Sequence, residues 1–138
     1  MSTLTEDQRK HLEFIQNVIT RMNSNSFTIK GWAITLVSAL FALAAKDSDV
    51  KYVLISYISI FTFWCLDAYY LSMERQFRSL YNDIIDPSKS IQLYSMSIGN
   101  YNNGKNTWLS SFFSKSISIL YITTIGLTLV VMFLFKHS

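Results

Sequence analysis

An all-α membrane protein is the fold class this sequence predicts: an N-terminal amphipathic helix, three transmembrane helices of which the first two form a tight hairpin, and a cytoplasmic segment between the second and third. Three observations lead there. Charged residues are 15% of the chain, against about 25% in soluble domains. They are unevenly spread, because residues 31–45, 52–66 and 116–135 hold none. The 138 residues suffice for one compact unit, and a soluble domain of that size has no room to hide three such runs.

The first element is an amphipathic helix within residues 1–26. Thr3 and Glu6 stand at capping-box spacing. Leu12, Ile15, Val18, Ile19 and Met22 recur at helical steps, while Arg9, Lys10, Glu13, Gln16 and Asn17 make the opposite face. This pattern fits a helix lying on a membrane surface. It fits equally a cytosolic helix packed on a partner or on the rest of this chain. Asn23-Ser24-Asn25-Ser26 is expected to break the helix before the first span.

The first two spans, about 27–45 and 52–73, are long enough to cross the roughly 30 Å hydrocarbon core with their flanks included. The short polar turn Lys46-Asp47-Ser48-Asp49-Val50-Lys51 makes residues 27–73 a transmembrane hairpin. Residues 74–85 continue the second span as a projecting helix, which Asp86-Pro87-Ser88 ends, since proline biases its predecessor away from helical angles. The rest of 74–115 reads as Asn-rich loop, with a small β-hairpin around Asn102-Asn103-Gly104-Lys105 as the other option. Trp108, Phe112 and Phe113 lead into the third span, 116–135, at the depth aromatic side chains prefer. A short outer tail completes 116–138.

Orientation follows from Lys and Arg. Nine of the twelve fall in the N-terminal segment or in 74–115, and three in the short turn and the tail. The N-terminus is therefore expected in the cytoplasm and the C-terminus outside. The polar, acidic N-terminus predicts no cleavable signal peptide.

Asp67 is the most informative residue, a carboxylate inside the second span that needs a partner or hydration. In a hairpin turning at positions 48 and 49, facing residues sum to about 97, and Lys30 with Asp67 does so. A structural ion pair is expected there; a conductive path lined by Asp67 is the alternative. Arg21 and Glu74 give a second, less well aligned pair. Asp67, Tyr70, Glu74, Arg78 and Tyr81 form one stripe running from membrane to cytosol. It is either a solvated face or a coupling surface that meets a second subunit or the 86–115 segment. Gly31, Thr35, Ser38, Ala42 and Ala45 make a small-residue seam down the first span, suited to close helix approach within the hairpin or between copies.

No catalytic residues are expected. The four glycines are scattered at 31, 99, 104 and 126, with no phosphate-cradling loop. His11 and His137 lie at opposite ends and Cys65 is alone, so neither a metal site nor a disulfide is expected. No cofactor is implied. A net charge of +3 without a basic stripe in a soluble segment gives no reason to expect nucleic acid as a partner.

Phe63-Trp64-Cys65-Leu66-Asp67-Ala68-Tyr69-Tyr70-Leu71, then Glu74-Arg75, Phe77-Arg78 and Leu80-Tyr81, resembles the signature of a family of small bacterial inner-membrane proteins from mobile-element and defence loci. Arg21-Met22, Asn25-Ser26-Phe27, Lys30-Gly31-Trp32, and Trp108 with Phe113-Ser114-Lys115-Ser116 and Tyr121 fit the same pattern. The resemblance implies a bacterial inner-membrane location and a place in anti-phage defence, and it implies no chemistry. The expected function is an oligomeric effector that permeabilises or depolarises the membrane when a cytosolic sensor protein or signalling molecule triggers it. A non-conducting anchor or sensor subunit is the competing class.

Overall fold

The computed structural model describes residues 4–47 and 49–136. It contains helices α1 (Glu6–Asp47), α2 (Lys51–Ile85), α3 (Trp108–Phe112) and α4 (Lys115–Lys136), and no strand occurs among the described residues. The hairpin option at 102–105 therefore falls away. In its place stand two single 3₁₀ turns, Gly99–Tyr101 and Gly104–Asn106, and Gly104 has the left-handed φ of 56° that favours glycine. The long segments of α1, α2 and α4 are each long and apolar enough to cross a membrane.

α1 begins with a reciprocal cap. Thr5 Oγ1 accepts from the Gln8 amide at 3.1 Å, and Gln8 Oε1 accepts from the Thr5 amide at 2.9 Å. The capping box is thus Thr5–Gln8; Thr3, expected in that role with Glu6, lies outside the described residues. Glu6 and Asp7 in the first turn favour the helix dipole.

The expected break at residues 23–26 does not occur, and α1 runs unbroken for 42 residues. Asn and Ser cost at most about 0.7 kcal/mol each in a helix interior. Against that, Ile15 and Ile19 are buried on one side of the run and Ala33 and Val37 on the other, all in cores shared with α2. Tertiary packing on both flanks outweighs the weak local preference. Ser26 itself is buried and hydrogen-bonded.

α1 and α2 run antiparallel in two packed layers. Ile15 and Ile19 meet Phe77 and Leu80, with Ile91, Ile98 and Tyr101 of the following segment closing over them. Each such side chain contributes roughly 1.5–3 kcal/mol when fully buried. The amphipathic face of residues 12–22 is therefore covered by the chain itself. In the other layer Ala33 and Val37 of α1 pack with Ile60, Trp64 and Ala68 of α2, Phe112 of α3, and Ile117 and Tyr121 of α4.

α2 ends where Asp86 turns to extended geometry, with ψ 115° ahead of Pro87. Asp86 Oδ1 accepts from the Ser88 amide at 2.9 Å and the Ser88 hydroxyl at 2.7 Å, closing the turn. α3 is an element the sequence pattern did not announce. Thr107 caps it by accepting from the Ser110 amide, and it bends the chain into α4.

Candidate functional site

α1, α2 and α4 converge on one carboxylate. Asp67 is fully buried. Ser26 donates its hydroxyl to Asp67 Oδ1. Lys30 Nζ lies 2.6 Å from Oδ2, and the Tyr121 hydroxyl donates to the same oxygen at 3.1 Å. Lys30 also donates to Ser26 Oγ at 2.8 Å, closing the ring. Each carboxylate oxygen has a donor and the charge has a counter-charge, the condition a buried ion needs in order to be tolerated. The position suits the chemistry: Lys30 keeps its stem on the apolar helix and reaches inward, with its side chain 25% exposed.

Two indoles seat α3 and α4 against this cluster. Trp64 Nε1 donates to the Phe112 carbonyl at 2.8 Å, and Trp108 Nε1 donates to the Cys65 carbonyl at 3.0 Å. The Trp64 ring lies parallel to Phe112 at 4.1 Å and to Tyr121 at 5.9 Å. Tyr121 is thus oriented by stacking before its hydroxyl reaches Asp67. Ser111 Oγ, buried in α3, has no hydrogen-bond partner among the described residues.

A second constellation holds the segment after α2 against the projecting half of the helix pair. Asp83 accepts from Lys89 at 2.9 Å and from the Tyr101 hydroxyl at 2.7 Å. Those two donors hold the Asp83 carboxyl below its ordinary range. Burial, with the carboxylate beside it, pushes the Tyr101 phenol up to about 12. Higher on α2, Ser72 donates to the Asn106 carbonyl at 2.5 Å, Arg75 donates to the Lys105 carbonyl at 2.7 Å, and Asn106 donates to Ser79 at 2.8 Å. At the tip, His11 is buried and hydrogen-bonds through Nε2 to the Ser95 carbonyl at 2.7 Å. That role is structural, and no group of three or more potential metal ligands occurs among the described residues.

The stripe residues separate by environment. Asp67 is buried in the cluster above, and Glu74 is buried with Arg78 folded over it at 2.8 Å. Glu74 therefore turns to its own helix and not to Arg21. Tyr70 lines a surface groove with Asn25, Thr28 and Trp32, and Arg78 and Tyr81 line another with Gln16 and Ile19 of α1. The face that receives the 86–115 segment is a different one, carrying Ser72, Arg75, Gln76, Ser79 and Asp83. Of the stripe, Tyr81 packs on the apolar cluster that Ile91, Ile98 and Tyr101 of this segment also cover.

The seam also lies elsewhere than the α1–α2 packing. Gly31, Thr35, Ser38, Ala42 and Ala45 are all exposed, and a Cβ added at Gly31 would meet nothing within 4 Å. The face of α1 that packs on α2 carries Ala33, Val37, Leu40 and Ala44. Ser26 and Tyr121 are the cluster members that sequence reasoning did not assign. Ser26 was hidden in the supposed break, and nothing local marks Tyr121 as a partner of α2.

The arrangement can fix the relative positions of three helices and hold a charge out of water. The chain matches no protein-family model, no curated protein and no solved structure. The fold and the buried cluster define a class, a small helical protein with three helices of membrane-crossing length and composition.

Proposed function

We propose that this chain is a multi-pass protein of a bacterial inner membrane, N-terminus cytoplasmic, that assembles into oligomers and permeabilises or depolarises that membrane when a trigger reaches its projecting tip, in keeping with a role in anti-phage defence. One observation carries the reading: α1 and α2 pass unbroken from the tip into the membrane-length region, where Asp67 ties them to α4.

Helix register supports a depth for that tie. Tyr121 lies six residues beyond Lys115, about 9 Å along α4 at 1.5 Å per residue. The same distance back from Asp67 reaches Met73, and back from Lys30 it reaches Ser24. Near the other end Tyr57 of α2 approaches Met132 of α4 at 4.0 Å, which keeps the same register. Asn23 and Ser24 then sit at headgroup level, where their side chains meet water, Ser26 turns inward to the cluster, and Arg21, Glu74 and Arg75 lie outside. α1 is about 63 Å long, so roughly half of it projects beyond a 30 Å core.

Three helices do not enclose a water path alone, so conduction requires several copies. The uncovered seam from Gly31 to Ala45 is the face we assign to that contact. Purified protein in liposomes, with dye or ion release read with and without a cytosolic extract, tests the reading. Triggered leakage from an oligomer supports it. A monomer that leaks under no condition overturns it. A reporter fused after Ser138 should read outside; a cytoplasmic signal there reverses the orientation.

A non-conducting anchor or sensor subunit is the second reading. It is favoured by the completeness of the Asp67 cluster, whose oxygens are all engaged within one protomer, leaving no spare carboxylate to line a path.

A further inference from the structure

Between the docked loop and α4 the chain makes an elbow, residues 105–115, whose outer surface combines two kinds of exposure. Trp108, Leu109 and Phe113 are exposed, Leu109 at 61% and Phe113 at 65%. Lys105 precedes them and Lys115 follows, both exposed. Arg75 of α2 joins this rim, because its guanidinium donates to the Lys105 carbonyl at 2.7 Å and holds a third cation beside the elbow. None of the three cations enters an ion pair among the described residues; the ion pairs use Lys30, Arg78 and Lys89. No acidic residue occurs after Asp86, so the elbow supplies no counter-charge of its own.

The depth of the elbow follows from its hydrogen bonds. Trp108 reaches the Cys65 carbonyl, on the apolar side of Asp67. Asn106, by contrast, is tied to Ser72 and Ser79, at and beyond the proposed boundary at Met73. The aromatic side chains therefore point toward the hydrocarbon while the cations stay at headgroup level, the division that amphipathic interfacial segments adopt.

We propose that the elbow is a binding site for anionic phospholipid headgroups of the cytoplasmic leaflet, with Lys105, Lys115 and Arg75 meeting the phosphate charge and Trp108, Leu109 and Phe113 seated among the acyl chains. It rests on the membrane reading above and is independent of whether the protein conducts. A cation near an anionic leaflet contributes about 1 kcal/mol, which is about fivefold in affinity. The apolar side chains hold the elbow in place whatever the lipid, so the charge rim is what selects the lipid class.

The test is native mass spectrometry of the full chain released from nanodiscs of mixed phosphatidylglycerol and phosphatidylcholine with identical acyl chains. Wild type should retain phosphatidylglycerol preferentially, and Lys105→Gln with Lys115→Gln should lower that preference about 25-fold at unchanged helix content. Arg75→Lys keeps the charge and should retain most of it. Equal retention of the two lipids by wild type overturns the proposal, as does a preference that survives the double substitution or that moves to Arg21→Gln. Loss of bound lipid on adding millimolar inorganic phosphate would mark a soluble-phosphate site and overturn it too. A chain that stays soluble without detergent would instead sink the membrane reading itself.

Discussion

α2 carries two aspartates, each held between a lysine and a tyrosine. Asp67 takes Lys30 and Tyr121; Asp83, sixteen residues on, takes Lys89 and Tyr101. The chemical groups are the same, and their settings are opposite. Asp67 has no exposed surface, and its partners come from two other helices. The Asp83 side chain is 21% exposed and that of Lys89 52%, and both partners lie within eighteen residues of it. The inner trio joins distant parts of the chain where water cannot replace a lost partner. The outer one pins a loop where water can. Identical groups therefore bear different weight, and burial is what separates them.

The largest expected effect breaks the inner trio. Lys30→Ala leaves a buried carboxylate without its counter-charge and should cost about 3–5 kcal/mol in unfolding measured in detergent micelles. Exchanging the two residues, Lys30→Asp with Asp67→Lys, should recover part of that loss. If Lys30→Ala melts like wild type, Asp67 is hydrated and the contrast with Asp83 disappears. Next comes Tyr121→Phe, which removes a hydroxyl from a charged acceptor and should cost about 1.5–3 kcal/mol. Its outer counterpart, Tyr101→Phe, should cost about 1 kcal/mol. If the two tyrosine variants lose equal stability, burial is not what sets the difference.

Tyr101 also has a pH signature. Its folded value is raised from about 10 to about 12, so its contribution is complete below pH 10 and is lost as pH rises through 12. Asp83 has the opposite sign, because its folded value is depressed. Its contribution is complete above the ordinary aspartate value and is lost as pH falls through the folded one. In Tyr101→Phe the alkaline loss due to this phenol should vanish while the acid limb remains; hydrogen exchange of residues 86–106 across the pH range reads both. The smallest effect is that of Lys89→Ala, an exposed partner whose removal should shift the melting temperature barely and no further in high salt.

The same contrast decides what could be read from the sequence. Lys30 and Asp67 could be set opposite each other because a short turn fixes the register of an antiparallel pair, and their charged atoms stand 2.6 Å apart. Tyr121 could not be placed in that way. Twenty-nine residues of irregular and short helical chain, 86–114, separate α2 from the helix that carries it, and no register survives such a connection. Ser26 was missed for a different reason. Its run of Asn and Ser has weak local helix preference, and packing by Ile19 and Ala33 on either side overrides it. The seam shows the limit of periodicity. Spacing establishes that Gly31 and Ala45 share a face, but a helix has several faces, and only the larger buried residues Val37 and Leu40 mark the one that packs. The loop after Pro87 shows only a short, mixed alternation at residues 91–98, and its placement depends on side-chain bonds to Ser72, Ser79 and Asp83 that follow no short-range rule.

An unbroken α1 also has a mechanical consequence. It has no hinge at residues 23–26 and is packed on α2 on both sides of Lys30, so the two helices make one stiff pair. The stretch from Glu6 to Lys30 is about 36 Å long and that from Lys30 to Asp47 about 25 Å. A push at the tip is then passed along the pair toward its far end, with no joint on the way to absorb it. Had the chain broken where its asparagines stand, the same push would have been absorbed as bending, and nothing would have reached the other side.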